Sequence, residues 1–361
     1  MHQDNKSDVE VATALKQVEL TQELTAATMN SLVNYVPGPL STEQIYVLEG
    51  RSADLIPPDA DLPSTPAPDA ATAASILSKA AAYVTGTYDQ LPDLSATKTT
   101  LRFQDNVEAT SAGSGLQGGA QDVTTSASFS NPATFIHYIN STESAVASAH
   151  GAEKLTPEKS KIPWGANKMI ALEVPDPSLG TVLREAQQGG DIHWLRWELV
   201  NGKQAAVYTF AVPGKPRYAL NVCCFPKINQ AGVADFYSAT SGLGGGGSGG
   251  GVSGNFQTST DWHNFKATVP YHGELFIEPE SGVVVRMITE AELKPTEVVH
   301  QVDTRVDYGP VKAGDKTLVV PVKTIINTEV VPNGDSGSAG GYSIRRTLFT
   351  SEYKDYKTGP K

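Results

Sequence analysis

Cysteine is nearly missing from this chain: 361 residues hold two, the adjacent Cys223 and Cys224. Two neighbouring thiols make neither a disulfide framework nor a zinc-type spacing, and on a strand their side chains would point to opposite faces. Long apolar runs are missing too, and none approaches the ~18 residues of a membrane span. Basic clusters are absent, with 28 Lys and Arg against 39 Asp and Glu. Nucleic acid and anionic membrane surfaces attract the opposite sign, so both are excluded as expected partners. The first residues, MHQDNKSDVE, carry no apolar core of a signal peptide. A mature exported chain with an added Met would read the same way. The length that remains is enough for a sizeable core in one or two domains.

What is present centres on residues 191–225, DIHWLRWELVNGKQAAVYTFAVPGKPRYALNVCCF. Asn201-Gly202 lies between two alternating runs, and a type I′ turn needs positive φ at both central positions, which these residues tolerate. With Val200 opposite Lys203, His193, Leu195, Trp197 and Leu199 share one face with Phe210, Tyr208, Ala206 and Gln204. Trp194, Arg196 and Glu198 take the other. The first face is the more apolar and is expected to turn inward. A third consecutive strand through Tyr218, Leu220, Val222 and Cys224 is expected to extend the sheet. Leu195, Trp197, Tyr208 and Phe210 form its densest apolar patch, with Leu220, Val285, Met287, Val302 and Val306 as expected neighbours.

Three regions are expected along the chain: a helical extension over 1–49, a Pro/Ala/Asp-rich connection over 50–69, and an antiparallel β domain over 70–361. In the extension, Ser7-x-x-Glu10 fits a capping box. Val11, Leu15, Val18, Gln22, Thr25, Met29, Leu32 and Val36 follow a heptad stripe, which predicts one helix over 8–36 and offers a seam for self-association. Asp69 can cap a second helix to about Thr87, and 178–187 fits a third. Residues 95–104, 135–139 and 167–174 read as strands, and 141–163 as loops with a short helix. Gly-rich 241–254 and Gly/Ser-rich 111–130 read as flexible loops; no helix follows the glycines, which excludes a phosphate cradle. The remainder, from Lys266 onward, is a meander of strands.

Several motifs offer chemistry. Gly334-Asp335-Ser336-Gly337-Ser338 resembles the nucleophile loop of trypsin-like proteases, and His150, Asp191 and Ser336 occur in that family's order. Only 25 residues follow Ser336, too few for the rest of such a barrel, so no catalytic residue is assigned and no enzyme is expected. Asp261, His263, His272 and Glu274 are metal-capable, but their spacing is not that of a metal site. Glu290, Glu292 and Arg286 fall on one strand face, where exposed charge is the ordinary outcome. Neither metal nor cofactor is expected.

From about residue 74 onward the chain resembles the LolA-like and RseB-like carriers of bacterial lipoproteins. The likeness lies in YDQLPDLSATKTTLRF, WLRWELVNGKQAAVYTFAVP, YHGELFIEPESGVVVRMITEAEL, VDTRVDYGPVKAGDKTLVVPVKT and the terminal FTSEYKDYK. The resemblance implies an α+β fold in which a large curved antiparallel sheet, an incomplete β-barrel, carries helices on one side. It implies a periplasmic or secreted location and a lipid acyl chain or lipidated protein as partner. Leu195, Trp197, Tyr208, Phe210, Leu220, Val285 and Met287 would then be the apolar wall.

Overall fold

The computed structural model describes residues 6–105, 136–149, 151–154, 178–189, 191–214, 216, 218–226, 262–294, 297–330 and 345–359. Five helices are described: α1 (Asp8–Leu15), α2 (Ala26–Val33), α3 (Pro39–Arg51), α4 (Ala70–Tyr83) and α5 (Leu179–Gly189). The strands are β1 (Leu94–Gln104), β2 (His137–Ala149), β3 (Ala152–Lys154), β4 (Asp191–Val200), β5 (Lys203–Val212), β6 (Ala219–Pro226), β7 (Trp262–Thr268), β8 (Tyr271–Ile277), β9 (Val284–Ala291), β10 (Val299–Ala313), β11 (Lys316–Val330) and β12 (Arg345–Thr358).

Ten strands form one antiparallel sheet in the order β3-β2-β1-β12-β11-β10-β9-β8-β5-β4. The meander from β8 to β12 is the expected one, and the C-terminal strand returns to lie beside β1. The sheet stays open, with β3 and β4 as its two edges, so the fold is the expected α+β curved sheet. Gly273 marks one close approach: a Cβ there would stand 2.8 Å from the Ile288 carbonyl carbon of the neighbouring strand.

Alternation decides which face each side chain meets. On the inner face, Ile76, Ala80 and Val84 of the α4 segment and Leu179, Val182 and Leu183 of α5 join one large buried cluster with side chains from β5, β8, β9, β10 and β11. The outer face carries Ile325 and Leu348, which meet Val47 and Ala53 of the N-terminal segment. Asp69 caps α4 as expected, accepting from the Thr72 amide at 2.7 Å.

Three expectations about elements are corrected. The single helix over 8–36 is two helices separated by residues 16–25, and α3 follows after Pro37-Gly38. The break falls where the stripe is polar, at Gln22 and Thr25. The Glu23 amide instead donates to the Ile56 carbonyl at 2.8 Å, the Leu24 amide to the Ser52 hydroxyl at 3.0 Å, and Thr25 caps α2. Residues 141–149 belong to β2 rather than to loops and a helix, because pairing with β1 along Leu94–Gln104 overrides their Ala-rich helical leaning. β6 does not pair with β5; it forms a separate ribbon with β7, while β5 pairs with β8. The expected strand at 167–174 and the loops at 111–130 and 241–254 lie outside the described residues.

The β8–β9 turn fastens the sheet to α4. Gly282 sits there at φ +75°, and a Cβ would stand 2.5 Å from the Lys79 carbonyl oxygen and 2.7 Å from the Ala80 nitrogen. Lys79 Nζ donates to the Pro279 carbonyl at 3.0 Å. Gly282→Ala should therefore cost ~2–3 kcal/mol, combining a left-handed backbone with overpacking against a rigid helix. Urea denaturation checks this; a change inside the usual ~0.5 kcal/mol of a surface substitution would mean that the turn does not touch α4.

Candidate functional site

The residues expected to form an apolar wall fall into two groups. Trp197, Tyr208, Phe210, Leu220 and Met287 come together in the inner cluster. Tyr208 and Phe210 are 2 % exposed, Leu220 1 % and Met287 0 %, so their surface is already covered by the protein. Val302 and Val306 are buried beside them. Polar tips are paired: the Tyr208 hydroxyl donates to the Ala73 carbonyl at 2.7 Å, and the Trp197 indole donates to the Pro66 carbonyl at 2.8 Å. Tyr271, edge-on to Phe210 at 6.0 Å, donates to Glu185 at 2.7 Å; burial and that carboxylate push its phenol far up.

Leu195 and Val285 do not join them. The β4–β5 register holds from Val200–Lys203 to Arg196–Val207 and then shifts, so that Trp194, not Leu195, faces Tyr208. Leu195 is left 42 % exposed, and Trp194 and Ile192 pack against the inner cluster instead. Val285 lies at the corresponding shift between β8 and β9 and packs on the outer face with Phe276 and Ile288. One inserted residue in a strand reverses the face of everything beyond it.

Open apolar room occurs elsewhere, in the N-terminal helical unit. A cavity of about 420 Å³ is lined by Val11 and Leu15 of α1, by Val18, Leu20 and Leu24 of the connecting loop, and by Leu32 of α2. Tyr35, Val36 and Pro37, then Ile45 and Leu48 of α3, complete it. The local sequence explains the shape. Ser7 and Glu10 cap α1 reciprocally, Pro39 opens α3, and the helix break at 16–25 brings Val18, Leu20 and Leu24 against the apolar residues of these helices. The size is that of ordinary ligand sites, ~300–1,000 Å³.

The same loop ties this unit to the sheet. Glu23, next to the cavity residue Leu24, reaches the outer face, where Arg305 Nη1 lies 2.6 Å and Arg286 Nη1 3.4 Å from its Oε1. Asp307 accepts from Arg286 Nε at 2.6 Å and meets Arg305 at 3.2 Å. Burial alone would raise the Asp307 carboxyl, but the two guanidinium groups outweigh it and hold it well below the usual range. Burial opposes the charge of Arg305, yet Asp307 and Glu23 keep it above its ordinary value. Nearby, Lys323 meets Glu49 of α3 at 2.5 Å, and the Asn327 amide donates to the Gly50 carbonyl at 2.9 Å. Burial also raises Asp303 to about 7, helped by Glu290 directly opposite on β9 and by Asp54.

The other chemical candidates are engaged in ion pairs. Glu274 accepts from both terminal nitrogens of Arg196, at 2.9 and 2.8 Å. His272 lies between Glu290 at 3.3 Å and Glu292 at 3.4 Å, while Arg286 belongs to the Glu23–Asp307 cluster. Asp191 lies 2.6 Å from His193 Nε2. Among the described residues no group of three or more His, Cys, Asp or Glu could hold a metal ion. Ser336, His150, Asp261 and the side chains of His263, Cys223 and Cys224 lie outside the described residues.

No signal for the cavity could be read without knowing that residues 16–25 leave the helix. The apolar stripe supplied Val11, Leu15, Val18, Leu32 and Val36, but it assigned them to a helix seam. Ile45 and Leu48 of α3 went unread.

No family model matches the chain, and no curated protein does. Among solved structures, the crystal structure of a LolA superfamily protein from Nitrosomonas europaea is similar over 80 % of this chain and 94 % of that one. The identity is 10 % and the TM-score 0.25, so the fold assignment rests on the strand order and the helices described above.

Proposed function

We propose that this chain is a non-enzymatic binding protein of the bacterial envelope, periplasmic or secreted, that holds a lipid acyl chain, free or carried by a lipidated partner. The exported setting comes from the sequence resemblance to lipoprotein carriers. The site proposed here is the cavity of the helical extension, because there, unlike on the sheet face packed against α4 and α5, an almost wholly apolar lining meets room of ligand size.

One observation carries the reading: every side chain lining the cavity is apolar apart from the hydroxyl of Tyr35, a residue 64 % exposed. A peptide brings a donor and an acceptor with each residue and would leave them unpaired there. A hydrocarbon chain brings none.

A fluorescent long-chain fatty acid should bind at about one per protein and be displaced by palmitate. Leu24→Asp puts a carboxylate into the lining and should weaken binding more than about tenfold, since burying that charge is costly. Circular dichroism would show that the variant remains folded. Absence of uptake by the wild-type protein would refute the proposal.

A further inference from the structure

The helical unit has two unlike ends. At one, Glu23 and Ser52 meet the sheet and the chain that follows α3. At the other, the starts of α1 and α3 and the end of α2 converge. There Asp8 accepts from the Leu40 and Ser41 amides at 3.0 and 2.9 Å, and Tyr35-Val36-Pro37 joins α2 to α3. This second end is unusually greasy. Among the described residues six large apolar side chains are exposed, and four of them lie here: Val9 at 61 %, Leu32 at 37 %, Tyr35 at 64 % and Leu40 at 44 %. Leu32 and Tyr35 also line the cavity, so these two residues belong both to the exposed end and to the cavity wall.

We infer that this rim seats the protein on a lipid surface, with the cavity mouth facing the acyl chains; the inference rests on the function proposed above. Three features favour a bilayer as the occupant. Leu32 and Tyr35 place part of the rim in a wall suited to hydrocarbon, and a bilayer is where acyl chains are found. Tyr35 has the amphipathic character of a membrane-interface residue, with an apolar ring and a polar tip. The charges around the rim, Lys6 against Asp8, Glu10 and Glu43, are mainly acidic, and Asp8 and Glu10 are occupied by caps. Anionic lipid repels such a rim, so the lipid surface compatible with it is zwitterionic. No described helix is long and apolar enough to cross a membrane.

The test is flotation of the full chain with phosphatidylcholine vesicles, beside a Val9→Asp/Leu40→Asp variant. Neither residue lines the cavity, so uptake of the fluorescent fatty acid should be unchanged in the variant. Wild-type protein should float with the vesicles, and the variant should partition at least about tenfold less, as expected for losing two large apolar contacts. Wild-type protein that takes up the fatty acid but ignores the vesicles would overturn the inference while leaving the binding function standing. Flotation that requires added phosphatidylglycerol, or that survives in the variant, would overturn it as well. So would a wild-type dimer by light scattering that the variant converts to monomer, since the rim would then belong to a second copy of this chain.

Discussion

Arg305→Ala should cost ~3–5 kcal/mol, because it leaves Glu23 and Asp307 facing each other under the helical extension with Arg286 as their remaining close cation. The size follows from burial. Arg305 is 6 % exposed as a residue and Glu23 likewise 6 %, so water cannot replace the lost guanidinium. The native cluster need not be strongly stabilising for this to hold, since removing one partner strands charges whose desolvation has already occurred. Its pH dependence has a definite sign. Asp307 is held below its unfolded value of about 3.9, so its contribution is complete above that pH and is lost as pH falls through the folded value. The gap between wild type and Arg305→Ala should thus be widest near about pH 7 and narrow below about pH 4. Urea midpoints at both pH values measure it. A constant gap would mean that Asp307 gains nothing from Arg305. Loosening of this cluster should also weaken fatty-acid binding, because Glu23 and Leu24 are consecutive residues with one foot on the sheet and one in the cavity.

Phe210→Ala should be about as damaging, ~3–5 kcal/mol, whereas Leu195→Ala should stay within ~0.5 kcal/mol. Phe210 is 2 % exposed in the inner cluster, and deleting its ring leaves a hole that Tyr271 and the neighbouring strands cannot close. Leu195 is 42 % exposed on the bulge of β4. An uninterrupted hairpin would place both residues inward and give both substitutions core-sized costs, so the pair of alanine variants tests the bulge directly. A loss above ~2 kcal/mol for Leu195→Ala would restore the uninterrupted register.

This pair also shows how much of the molecule could be read in advance. Local rules worked where the determinants were local. Asn201 and Gly202 take φ of 52° and 75°, as the I′ turn required, and the Ser7/Glu10 box and the Asp69 cap stand where the residues allow them. Alternation located most strands of the meander, and five of the seven wall residues come together in one cluster, Leu220 from the separate β6–β7 ribbon. Both misplaced residues, Leu195 and Val285, sit at register shifts, which period-2 reasoning cannot anticipate. Residues 141–149 carry small polar side chains that fit a loop or a short helix equally well until β1 pairs with them.

The helical unit was the least legible part. Whether residues 16–25 continue a helix depends on Arg286 and Arg305, more than 260 positions away, which reward Glu23 for leaving it. Without that break the apolar stripe is a seam for another helix. With it, the same valines and leucines enclose a cavity.

The most direct measurement is photolabelling of the purified chain with a diazirine-bearing C16 fatty acid, followed by mass spectrometry of its peptides. Labels should map to residues 11–48, above all to the peptides holding Leu15, Leu24 and Leu32, and excess palmitate should suppress them. Labels confined to the strands that carry Tyr208, Phe210, Leu220 and Met287 would contradict the account and return the ligand to the sheet face.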